Sequence, residues 1–211
     1  MKKLVFLLVI LFFINSFGQE PSTFKEMKAD KSMSEFFTDN ELEDLSTIVD
    51  FFESQLCLEK NITKEACYFN FNKETITNAI NGNNTNTLDL KIDYKLQLEL
   101  YSEIDSLFLK EIWRHPTYFK DKYLKNKVVK ENYDLDQFGK YMQFLESLKE
   151  EDVLFRDFYD LFYISNEISF SVNAVAFYKF KKEEFKGIKR RLFFAIYYLT
   201  VNDKINNITR R

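Results

Sequence analysis

The chain has 211 residues, with 33 acidic and 30 basic side chains, a formal charge of −3 and 45% hydrophobic content. That balance belongs to a folded domain with a real core and excludes an intrinsically disordered chain. One His, two Cys, four Gly and two Pro stand against 24 Phe and 12 Tyr. These scarcities argue against His-rich metal centres, glycine-rich phosphate cradles and most nucleophilic triads.

Lys2 and Lys3 precede an unbroken apolar run from Leu4 to Ile14, and Ser16-Phe17-Gly18 follows with small residues at a cleavage-site spacing. This is the pattern of a secretory signal. The run is too short for a stable transmembrane helix, which needs about 20 apolar residues. Residues 1–18 are therefore expected to be removed, leaving Gln19 first, no stable membrane anchor, and a periplasmic or secreted protein. Loss of the two lysines moves the formal charge to −5, which disfavours nucleic acid as a partner. In an oxidising compartment Cys57 and Cys67 are expected to form a structural disulfide. A redox pair would want closer spacing, such as Cys-x-x-Cys.

Residues 19–37 carry few periodic apolar positions and read as a loose lead-in to a single helical domain over 38–205, with 206–211 as a tail. Thr38 and Glu41 form a capping box, and Leu42, Leu45, Val49, Phe52 and Leu56 follow at helical spacing to about Cys57. Asn61 or Thr63 caps a second helix from Lys64, with a break expected near Asn72. The disulfide would staple the end of one helix to the start of the next. Residues 81–86 are a polar loop. From Leu88 to Leu100 apolar residues alternate as in a strand, yet Leu96, Leu100, Ile104, Phe108 and Ile112 also form a helical stripe. Length favours one helix from about Asp93 to Arg114, with residues 88–92 open between strand and helix.

Pro116 stops that helix, placing His115 at its terminus, where the ring can bond backbone carbonyls. A lysine-rich connector follows. Asp134 and Gln137 form a second capping box for a helix with Phe138, Met142, Leu145 and Leu148 on one face. Further helices are expected around Leu154–Phe162, from Ser169 through Tyr178, and from Ile188 through Leu199. The fold class is all-α, an irregular single-domain bundle of about six to eight helices.

Chemistry is sparse. Glu111 and His115 lie four apart, but a lone His cannot complete a zincin or di-iron motif, and no EF-hand loop is present. No nucleophile elbow presents a serine to that His. No cofactor, no metal and no catalytic residue is nominated. A pair of carboxylates converging in a cleft would still allow glycoside hydrolysis. The aromatic C-terminal half, with Phe158, Phe162, Phe193 and Tyr197, reads either as core or as a surface for an apolar ligand or partner. Eight acids and no base lie between Lys31 and Lys60, Glu41 and Asp44 among them, while the stretch from Lys179 to Arg191 inclusive carries seven basic residues against Glu183 and Glu184. These are either solvated faces that meet one another or, on the acidic side, a surface that steers a basic partner.

Asp50-Phe51-Phe52, Cys57 with Cys67-Tyr68, Ile112-Trp113, Gly139-Lys140-Tyr141 with Phe144-Leu145, and Tyr198-Leu199-Thr200-Val201-Asn202-Asp203 give the chain its most distinctive stretches. In these it resembles small exported helical proteins of the Bacteroidota, a group with no assigned activity. The resemblance implies an exported, single-domain, all-helical protein and brings no site with it. The leading expectation is an exported, non-enzymatic protein that binds a protein partner in the cell envelope, with an inhibitor or immunity protein as one version. A carrier or sensor of an apolar small molecule held between aromatic-rich helices and a carboxylate-dependent hydrolase are the alternatives.

Overall fold

The computed structural model describes residues 22–58, 61–81, 88, 90–115 and 133–208. The expected signal peptide, the polar loop after Asn81, Pro116 and the lysine-rich connector lie outside the described residues. Within them the fold is helical, with ten α-helices, a two-stranded ribbon and one continuous core.

The lead-in is not loose. It folds into α1 (Ser22–Ala29) and α2 (Lys31–Phe36), separated by Asp30, whose side chain accepts the Met33 N–H at 3.1 Å. Met27 and Met33 are fully buried. Two short helices offer too few turns for apolar periodicity to show, and Asp30 as an N-cap was the one readable signal.

The expected capping box opens α3 (Asp39–Leu56), with Glu41 Oε2 accepting the Thr38 N–H at 2.7 Å. Leu42, Leu45, Val49 and Phe52 are all fully buried. Cys57 ends the helix and lies at disulfide distance from Cys67 in α4 (Lys64–Asn81), with Cα atoms 5.4 Å apart. Contrary to expectation, α4 runs unbroken through Asn72. That side chain is fully buried because it has work inside the core: it donates to the Phe177 carbonyl at 2.9 Å and accepts the Tyr198 hydroxyl at 2.6 Å.

The ambiguous stretch is neither strand nor helix where it is described. Leu90 and Ile92 are buried and Lys91 between them is exposed, with a φ of 55°, so the alternation is real but has no ladder. The single helix expected over 93–114 divides into α5 (Tyr94–Glu103) and α6 (Ser106–Ile112). Asp93 caps the first as expected, and Asp105 caps the second through the Leu107 and Phe108 N–H groups. A second N-cap between two apolar stripe positions turns the chain while Leu100, Ile104, Phe108 and Ile112 all stay buried.

The capping box expected at Asp134 is also overturned. Asp134–Leu135 is β2, paired antiparallel with β1 (Trp113–Arg114) in the register Trp113 to Leu135. The next helix, α7 (Lys140–Ser147), starts behind Gly139. A Cβ at Gly139 would sit 2.3 Å from the Glu111 carbonyl oxygen, so only glycine lets α7 start against the end of α6. Glu111 then serves α7 directly, its Oε2 accepting the Lys140 N–H at 2.9 Å.

After α8 (Val153–Ser165), α9 (Phe170–Phe177) and a 3₁₀ turn (Lys182–Phe185) comes α10 (Ile188–Ile208), which absorbs the first residues assigned to the tail. From Arg191 to Asp203 every side chain of α10 is buried. A helix apolar on all sides belongs at the centre of a fold, and this one packs against α1, α3, α5 and β2.

Candidate functional site

The nominated aromatics are core. Phe158, Phe162, Phe193 and Tyr197 are each at most 4% exposed. Phe158 packs edge-on to Phe193 at 4.8 Å, and Phe177 packs edge-on to Tyr197 at 5.0 Å. These rings face α10 from several sides, so they offer neither an open ligand pocket nor a partner surface.

Glu41 and Asp44 come apart. Glu41 is half-buried between Thr38 and Lys140, whose Nζ is 2.6 Å away. Burial opposes its ionisation, but the bonds from Lys140 and Thr38 outweigh that and hold its carboxyl below the usual range. Asp44 accepts the Asp105 N–H at 3.3 Å. Burial, reinforced by Asp105, Glu43 and Glu41, raises its carboxyl.

The acidic and basic stretches do meet in part. Arg191, 3% exposed, lies between Glu53 at 2.6 Å and Glu26, and Lys64 completes the group at 2.6 Å from Glu53. The cluster ties α1, α3 and α4 to α10. Lys189 lies 3.7 Å from Asp30 and 2.9 Å from Glu151. Taking one partner out of so buried a group strands its neighbours, so its role is structural.

Besides Glu53, the buried acids against which the hydrolase alternative can be weighed are Asp203 and Asp134. Asp203 accepts the Tyr94 hydroxyl at 2.7 Å and the Tyr133 N–H, with Asn207 also donating. Burial still pushes its carboxyl up to about 6, and Asp134 adds to that. Asp134 is ion-paired with Lys204 at 3.0 Å, and burial raises its carboxyl too. His115 packs against Tyr133 with centroids 3.8 Å apart and the rings tilted by 47°, just past β1 and not at a helix terminus. The cluster fastens the ribbon and α5 to the end of α10. Neither acid lines the grooves between α7 and α8, between α3 and α5, or beside Asp152 and Arg190.

The largest of those grooves, about 710 Å³, runs between α7 and α8. Its lining includes Phe138, Tyr163 and Ile164, exposed by 72%, 53% and 85%. Three large apolar side chains held open on one groove are an unusual concentration for a protein surface. The polar members are already engaged. Lys149 pairs with Asp160 at 2.6 Å and lies 4.7 Å above the Tyr159 ring. Gln137 donates to the Tyr163 carbonyl and Gln143 to the Phe138 carbonyl. Burial, with a bond to Glu146, pushes the Tyr159 hydroxyl up to about 12. The groove is therefore preorganised: an incoming apolar group meets exposed carbon while the neighbouring polar groups keep their bonds.

Sequence reasoning missed this groove because it placed Phe138 on the buried face of a helix. The helix begins two residues later, which leaves Phe138 on the turn before it. The run Phe162-Tyr163-Ile164 was the available signal, since a helix cannot bury three consecutive large side chains against one neighbour.

Among the described residues no group of three or more His, Cys, Asp or Glu side chains is placed to hold a metal ion, and no helix is long and apolar enough to cross a membrane. No protein-family model matches the chain, and no curated protein and no solved structure matches it.

Proposed function

We propose that this chain is an exported, non-enzymatic binding protein that engages a protein partner of the cell envelope through the α7–α8 groove. The observation that carries the reading is the exposure of Phe138, Tyr163 and Ile164 around one preorganised groove, in a protein where most of the described aromatics are packed into or against the core. Binding energy at protein interfaces concentrates in a few large side chains surrounded by satisfied polar groups, which is the composition found here. Export is supported by Lys2, Lys3 and the apolar run to Ile14. An inhibitor or immunity protein fits this arrangement, because such a protein needs a rigid scaffold and one committed surface.

The test is comparative capture from envelope extracts with the wild type and a Phe138→Ser/Ile164→Ser variant, followed by titration of each recovered protein in purified form. A partner is expected that binds the wild type and is weakened at least about tenfold by the double variant. Purified partners that bind both forms equally would remove the groove from the account. N-terminal sequencing of the exported protein is expected to begin at Gln19.

A further inference from the structure

A second groove, of about 400 Å³, lies between α3 and α5, away from the surface just described. Phe51 and Leu100 contribute its apolar floor, and Leu96 on its lip is 41% exposed. Asp50 stands on the α3 wall and Glu99 and Glu103 on the α5 wall, with no Lys or Arg in the lining. The negative strip continues past the groove, where the Asp44 carboxylate meets the Asp105 backbone.

Elsewhere in the molecule acids find bases at close range: Glu53 has Arg191 and Lys64, Glu41 has Lys140, Asp152 has Arg190 and Asp134 has Lys204. Among the described residues, the ion pair made by an acid of this groove is Lys95 to Glu99 at 3.5 Å, within α5, between side chains 85% and 55% exposed. Such a pair contributes little. Asp50 takes its bond from a hydroxyl, Thr23 Oγ1, at 2.5 Å, and the Lys64 ammonium reaches that hydroxyl at 3.3 Å rather than the carboxylate itself. The carboxyl of Asp44 is raised, chiefly by burial, against the Asp105 N–H bond that lowers it, with smaller contributions from the neighbouring acids Asp105, Glu43 and Glu41. Acidic walls on both sides of an apolar floor call for a ligand that brings positive charge on its flanks and carbon at its centre.

We propose that the α3–α5 groove binds a basic, apolar-anchored helical segment of a protein partner, its Leu- or Phe-sized side chains on Phe51, Leu96 and Leu100 and its Lys or Arg side chains against Asp50, Glu99 and Glu103. The geometry suits a helix, which packs into the trough between two others by setting its side-chain ridges into their grooves. Nucleic acid and anionic membrane surfaces carry the wrong sign. A polyamine brings charge without an anchor and leaves the floor unused.

The experiment titrates the protein with a short fluorescent Lys/Leu peptide whose leucines recur at helical spacing, beside a scrambled peptide of the same composition and beside spermine. It is run in about 150 mM salt, where charges are screened beyond about 8 Å. The patterned peptide is expected to bind and to protect α3 and α5 amides from exchange. Glu99→Gln/Glu103→Gln should weaken it at least about tenfold, whereas the same change of charge at exposed sites outside the groove, Glu150→Gln/Glu167→Gln, should weaken it by less than about twofold. Leu96→Ser should weaken it with no change of charge. Equal losses in the two charge variants, spermine or scrambled peptide binding as tightly as the patterned one, or protection elsewhere would each overturn the proposal. Melting curves of all variants exclude unfolding as the cause of a loss.

Discussion

The surroundings of α10 and the α7–α8 groove are both rich in large aromatic and aliphatic side chains, yet they do opposite things with them. Around α10, rings pack on one another and a network of buried polar groups bonds internally: Trp113 donates to Thr200 at 2.7 Å, Gln97 to the Leu199 carbonyl at 2.9 Å, and Asn202 to Gln97 at 2.7 Å. In the groove the polar groups are satisfied and the apolar ones are left open. Aromatic content alone therefore does not locate function; the combination of exposed carbon with already-satisfied polar neighbours does.

The comparison can be broken hardest at Arg191. Arg191→Met takes the buried cation from between Glu53 and Glu26 and leaves the buried Glu53 with Lys64 alone, and unfolding experiments are expected to show a loss of about 3–5 kcal/mol. A smaller loss, about 1–3 kcal/mol, is expected for Gly139→Ala, because the new methyl must push α7 away from the Glu111 carbonyl. Retained stability there would mean that the α6–α7 junction is softer than its geometry implies.

The Asp203 cluster makes a prediction with a sign. Its carboxyl is raised from 3.8 to about 6 in the fold, so the folded protein holds a proton that the unfolded chain has already released between those values. Its contribution to stability is full below 3.8 and is lost as pH climbs through about 6. Melting curves of the wild type should carry a falling component across that window, of order 1–3 kcal/mol, that Asp203→Asn lacks. Equal slopes in both proteins would show that the carboxylate is better solvated than its burial suggests.

Least affected should be the groove. Ile164→Ser and Phe138→Ser remove exposed carbon only, and each is expected to change stability by less than about 0.5 kcal/mol. A large loss would mean these side chains pack against something in the folded chain and belong with the core.

Much of this was readable before any coordinates. The Thr38–Glu41 box, the Asp93 cap, the Cys57–Cys67 pairing and the all-helical class follow from local chemistry that tertiary context did not override. The doublets Phe193-Phe194 and Tyr197-Tyr198 already required neighbours on more than one side of α10. What escaped were features that depend on close approach between distant segments. Asp134 pairs across to Arg114 in a ribbon, which defeats its local promise as a cap. Asp105 ends one helix and starts another inside an unbroken apolar stripe. The lead-in packs Phe24, Met27 and Met33 into the core, and its Glu26 meets Arg191, 165 positions away. The α7–α8 groove was hidden by a boundary error of a few residues, which moved Phe138 from surface to core.

The most direct test of the central claim is oxidative footprinting of the free protein and of its complex with the captured partner. The account predicts that Phe138, Tyr163 and Ile164 are modified in the free protein and protected in the complex, while Phe158, Phe162, Phe193 and Tyr197 stay unmodified in both. Modification of that buried set in the free protein, or protection that leaves the groove residues unchanged, would contradict it.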